Sequence, residues 1–114
     1  MMSPNYTRCK VKGHGEIFSG FDKKGKHFNV VEMSAEGVRI FSIYEFEENI
    51  NVRMKIHLPS YLFQVNIRVV GRIDSKIKAD NGFEYDMVFI GLPEDTMKEI
   101  DKLMKSACCQ DGDY

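Results

Sequence analysis

Val30-Val31-Glu32-Met33-Ser34-Ala35-Glu36-Gly37-Val38-Arg39-Ile40 sets the pattern for the whole chain. Two β-branched, apolar runs flank a short polar link. Val and Ile suit a pleated, half-buried surface, whereas Ser and Gly suit a turn. The local reading is strand, tight turn, strand, with Gly37 expected to supply a left-handed backbone position.

Working outward, the chain yields more strands on both sides. Residues 1–8 show no periodicity and read as an extended N-terminal arm. Residues 9–20 alternate weakly around Cys9, Val11, Ile17 and Phe18, with Gly13 and Gly15 between, and predict a first strand with a glycine bend. Phe21 to Lys26 reads as a turn, with Gly25 as its left-handed residue. His27 to Met33 and Gly37 to Ile43 are strands two and three. Asn51 to Leu58 puts Val52, Met54, Ile56 and Leu58 on one face and Arg53, Lys55 and His57 on the other. Phe63, Val65, Ile67 and Val69 line a fifth strand that can run on through Ile73. Residues 74–82 read as a charged hairpin ending in the turn pair Asn81-Gly82. Phe83, Tyr85, Met87 and Phe89 line a sixth strand.

Pro93 opens a helix predicted over residues 93–107, with Glu94 and Asp95 at the positive end of its dipole. Thr96 and Glu99 offer an alternative capping box one turn later. Met97, Ile100, Leu103, Met104 and Ala107 form the apolar stripe. Glu94/Lys98 and Asp101/Lys105 are expected ion pairs on the wet face. Residues 108–114 read as a flexible tail. Six strands on short links followed by one helix predict a mainly β fold, a six-stranded antiparallel barrel with a C-terminal α-helix, over residues 9–107. Parallel strands would need crossovers that the links are too short to hold. Closure also removes the exposed edges of an open sheet.

Composition bounds function more than it names it. The 114 residues make one domain, 43% hydrophobic, with a net charge of −1. That balance gives no reason to expect DNA, RNA or a membrane as partner. The distribution is uneven: Arg8, Lys10, Lys12, Lys23, Lys24 and Lys26 crowd the start, and Glu32, Glu36, Glu45, Glu47 and Glu48 crowd the middle. A basic beginning next to an acidic middle can build a local anion site. No apolar run of membrane-spanning length and no signal peptide is read. Cys9, Cys108 and Cys109, an odd number with an adjacent pair, make a poor disulfide framework and favour a reducing cytoplasm.

No enzyme is expected. His14, His27 and His57 are far apart in sequence, without ligand spacing, so neither a metal nor a cofactor is predicted. Ser34 has no evident base. Binding has more support. Arg8 precedes the first strand, and Ser34 and Gly37 sit in the turn after the second. A guanidinium there can fork onto phosphate or a guanine edge, or stack on a base. Phe41, Tyr44 and Phe63 would be the stacking residues of a single-strand nucleic-acid barrel, a reading the missing basic groove argues against.

An arginine near the start, then Glu32-Met33-Ser34-Ala35-Glu36-Gly37 between strands, then the remaining strands and the helix, resembles the PilZ domain over roughly residues 5–107. The motifs of that family are Arg-x-x-x-Arg and Asp/Asn-x-Ser-x-x-Gly. Arg8 matches the second arginine while Pro4 stands at the first, Lys12 follows in the alternative register, and Glu32 replaces Asp or Asn. Asp86 stands where many members have glycine. The resemblance implies a bacterial, cytoplasmic receptor for cyclic di-GMP that regulates motility or surface behaviour, with affinity lowered by the incomplete motif. Arg8, Glu32, Ser34 and Gly37 would bind the ligand, and Lys10 and Lys12 would attract phosphate. The alternative is a degenerate adaptor that binds proteins only, through an apolar patch around Tyr44, Phe46, Tyr61 or Leu62.

Overall fold

The computed structural model describes residues 6–20, 23–59 and 65–112. Pro4, the turn residues Phe21 and Asp22, and Tyr61, Leu62 and Phe63 lie outside the described residues. The strands are β1 (Gly13–Phe18), β2 (Lys26–Met33), β3 (Gly37–Ser42), β4 (Asn51–Leu58), β5 (Val65–Ala79) and β6 (Gly82–Ile90), followed by α1 (Glu94–Gly112). They close into a barrel in the order β1-β2-β3-β6-β5-β4, every pairing antiparallel.

The alternation in the sequence sorts the two faces. In β4, Val52, Met54, Ile56 and Leu58 point inward, as their spacing predicts, and join Phe28, Val38, Ile40, Ile73, Tyr85 and Met87 in one continuous core. The hairpin expected at residues 74–82 is the end of the β5–β6 pair, whose strands run to Ala79 and from Gly82, so that Asp80 and Asn81 make the turn, one residue earlier than expected. Tyr85 is 1% exposed and anchors the core to the β3–β4 link. Its hydroxyl accepts from the Phe46 amide at 2.8 Å and donates to the Tyr44 carbonyl at 3.0 Å. Burial pushes its phenol above the ordinary value, so the donor proton stays in place.

Two strands carry bulges, between Val30 and Glu32 in β2 and between Ile73 and Ser75 in β5. An extra residue reverses the facing of everything after it. Phe28 and Val30 are buried, and strict alternation would bury Glu32 next. The bulge instead turns Glu32 out opposite Arg39 and Met33 in opposite Val38.

The structure departs from the sequence-based expectation at several points. Gly37 and Gly25 are not left-handed; among the described residues the positive-φ glycines are Gly20 (60°) and Gly91 (73°), joined by Asn49 (65°). The residues from Cys108 to Gly112 continue the helix rather than form a loose tail. Asp101 is not on a wet face: it is 9% exposed and accepts a 2.7 Å hydrogen bond from the Thr7 amide while pairing with Lys105 at 3.1 Å. Cys9 and Cys108 are joined as a disulfide, their Cα atoms 5.8 Å apart. That overturns the reading of the cysteines as a poor disulfide framework, and the cysteine-based ground for a reducing compartment goes with it. The helix stripe holds: Ile100 and Met104 enter the core, with Met97, Leu103 and Ala107 packed beside them. No helix among the described residues is long and apolar enough to cross a membrane.

Tyr85→Phe should destabilise the chain by about 1–3 kcal/mol, because it strands the buried Phe46 amide; urea unfolding measures this. The disulfide joins residues 99 apart in sequence, so dithiothreitol should lower the unfolding free energy by about 2–4 kcal/mol, read from urea unfolding. Cys108→Ser should show no further response to the reductant.

Candidate functional site

The arm reaches the barrel beside the β2–β3 turn. Cys9 and Met33 exchange both backbone hydrogen bonds at 3.0 Å, an isolated bridge that continues the edge of β2. This pairing, the Thr7–Asp101 bond and the disulfide hold the arm against β2 on one side and α1 on the other. Arg8, between them, points outward. Its Nε donates to Glu32 Oε1 at 2.9 Å. The structure therefore brings the sequence-predicted residues Arg8 and Glu32 together.

Beyond Glu32 the polar row continues across the barrel. Glu32 faces Arg39 on β3, whose Nη1 lies 3.6 Å from Oε2. Arg39 faces Asp86 on β6 and donates to it through Nε at 2.8 Å and Nη2 at 3.3 Å. Asp86 faces Ser75 on β5, whose hydroxyl donates to it at 3.3 Å. Hydrogen bonding to Asp86 raises the Arg39 pKa above its ordinary value. The Arg39 hydrogen bond in turn lowers that of Asp86; burial opposes the shift, and the charge of Arg39, the Ser75 hydroxyl and the charge of Arg8 reinforce it.

The motif serine and glycine serve the turn. Ser34 is 3% exposed, its amide donates to the Gly37 carbonyl at 2.9 Å, and its hydroxyl accepts from the Glu36 amide at 3.1 Å. Ala35, at the tip, is fully buried, and the Glu36 carbonyl accepts from the Phe89 amide at 2.9 Å. A Cβ at position 37 would collide with the Met87 carbonyl. Gly37 is thus required by the close approach of β3 to β6, not by a left-handed φ. Lys10 and Lys12 are exposed, Lys10 on the arm and Lys12 at the rim of a concavity of about 430 Å³.

That concavity corrects a further expectation. His14, His27 and His57 are distant in sequence, but β1 lies between β2 and β4 and brings all three side by side, with ring centroids 5.8 Å and 5.1 Å from that of His14. Among the described residues no group of three or more His, Cys, Asp or Glu side chains has metal-binding geometry. Arg39 and Asp86 are site residues that motif reading misses as a pair. Each sits at an outward position of an alternating strand, but only the β3–β6 register shows that they meet.

Asp101 also has a lowered pKa, chiefly through the Thr7 amide, with burial opposing and Lys105 reinforcing. A carboxylate with a depressed folded-state pKa stabilises the fold above its unfolded value of about 3.9 and loses that contribution as pH falls through the folded value. Stability should therefore fall as pH drops below about 4. Asp86→Asn and Asp101→Asn should each flatten that fall, read from urea midpoints across the acid range.

No family model and no curated protein matches the chain. Solved structures do. The Bacillus subtilis inhibitor of motility MotI/DgrA is similar over 99% of this chain and 55% of its own, with a TM-score of 0.83 and 10% identity. Escherichia coli YcgR in complex with c-di-GMP is similar over 93% of this chain and 46% of its own, with a TM-score of 0.76 and 10% identity. The PilZ domain of E. coli YcgR with c-di-GMP is similar over 90% of this chain and 89% of its own, with a TM-score of 0.64 and 12% identity. The chain spans about half the length of the first two. In fold, the chain is a PilZ-like domain: a closed six-stranded antiparallel barrel with one C-terminal helix.

Proposed function

We propose that the chain is a signalling module that receives cyclic di-GMP at the junction of its arm and the β2–β3 turn, in the control of motility or surface behaviour. The observation that carries this reading is the placement of Arg8. The arm's pairing with Met33 sets this arginine beside Glu32 at the mouth of the motif turn, in a fold shared with YcgR, which has been solved with c-di-GMP. Arg8 would fork onto a phosphate or a guanine edge. Ser34 and Gly37 would shape the turn so that its backbone approaches the ligand closely, and Lys10 and Lys12 would add charge for the phosphates. One bidentate guanine contact contributes about 1–3 kcal/mol. With proline at the position of the first motif arginine, the affinity should be weaker than a complete motif would give.

A second reading, a protein-binding adaptor without nucleotide, draws on exposed apolar side chains. Ile43 is 66% exposed, Tyr44 39% and Ile77 59%. The β3–β6 pairing of Ser42 with Phe83 sets Ile43 near the end of the hairpin that carries Ile77. Phe46 does not belong to that patch, because it is 5% exposed and packs edge-on to Tyr85.

Calorimetric titration of cyclic di-GMP into the wild type and Arg8→Ala decides between them. Saturable binding that weakens by roughly tenfold or more in Arg8→Ala supports the receptor. Binding that survives the substitution places the ligand elsewhere, and absence of heat in both moves the assignment to the adaptor.

A further inference from the structure

We propose that Arg8 and Arg39 together form a two-guanidinium clamp for the phosphodiester of a cyclic dinucleotide, and that the Glu32 carboxylate competes with the phosphodiester for it. The inference rests on the receptor reading and adds to it a second arginine and an internal competitor.

The geometry around Glu32 carries it. One carboxylate oxygen lies 2.9 Å from Arg8 Nε and the other 3.6 Å from Arg39 Nη1. A single anion with two oxygens on one centre thus spans two cations from different elements. A phosphodiester has the same charge and likewise offers two non-bridging oxygens on one centre, so it can satisfy the same pair of guanidiniums. Arg39 is aimed for this task. Asp86 takes its Nε and Nη2, leaving Nη1 turned to Glu32. The side chains of Arg8, Arg39 and Glu32 are 43%, 38% and 22% exposed, open enough for exchange with a ligand.

The charges of the row set what a ligand must overcome. Arg8 and Arg39 are balanced by Glu32 and Asp86, so the row exerts no net pull on an anion. A phosphodiester must displace Glu32 before both guanidiniums are available. Glu32 also carries one methylene more than the Asp or Asn of the motif that the sequence resembles, a longer reach toward the arm. Arg39 then provides a second guanidinium where Pro4 cannot.

The test is calorimetric titration of cyclic di-GMP into the full chain and into Glu32→Gln, Arg39→Ala and Arg39→Lys, with unfolding midpoints recorded for each. Glu32→Gln removes the charge but keeps a carbonyl that can accept from a guanine edge. It should bind roughly threefold to fivefold more tightly than the wild type, in proportion to a half-exposed ion pair. Arg39→Ala should weaken binding about tenfold, and Arg39→Lys, which retains charge without the fork, should fall between. Binding by Glu32→Gln with none by the wild type supports the clamp and overturns the receptor reading for the native chain. Wild-type binding that Glu32→Gln leaves unchanged or weakens, or that neither Arg39 variant alters, overturns the clamp and leaves the receptor reading standing. No heat in any of the proteins overturns both. If Arg39→Ala does not fold, Arg39→Lys and Glu32→Gln decide the matter alone.

Discussion

Closure of the barrel through β1 is the constraint on which the rest depends. β1 pairs with β2 on one edge and β4 on the other. A Cβ at Gly15 would meet the Lys55 carbonyl of β4 and lie 2.7 Å from Phe28 Cζ in the core. The absence of a side chain there lets the last seam close against a buried aromatic ring. Once β1 is fixed, the residues before it have a defined path. They run past the end of β2, where Cys9 pairs with Met33, and α1 covers them from the other side through Asp101 and Cys108.

The bulges in β2 and β5 do for the polar residues what closure does for the arm. Each adds one residue, and together they bring Glu32, Arg39, Asp86 and Ser75 to outward positions on four neighbouring strands. Without the β2 bulge, Glu32 would point into the core, where an unpaired carboxylate is costly. Half-exposed ion pairs of this kind add little to stability. Their consequence is orientation: Arg39 is held by two bonds to Asp86 and presents its remaining nitrogen to Glu32. The site is therefore ordered by register, and its charges are already balanced within the chain.

The two signature residues of the motif turn have structural roles. Ser34 bonds back to its own turn and Gly37 admits the Met87 carbonyl. Both residues are needed to bring β2 and β3 together with Glu36 against Phe89, whatever the turn binds. The exposed side chains around it include the guanidiniums of Arg8 and Arg39.

The sequence by itself determined the strand count, the barrel class, the full extent of β4, the apolar stripe of the helix and the motif turn. These depend on periodicity and local backbone preference, which neighbouring residues carry. It also singled out Arg8, Glu32, Ser34 and Gly37, because a motif is a local pattern. Only the tertiary structure decided which way Glu32 faces, that Arg39 and Asp86 complete its row, that three distant histidines share one concavity, that Asp101 caps the arm, and that Cys9 meets Cys108. Each of these depends on the register between strands, on a bulge of one residue, or on a contact between the two ends of the chain. Such features are set by which side chains fit a closed core, a property of the whole fold that no local stretch of sequence contains.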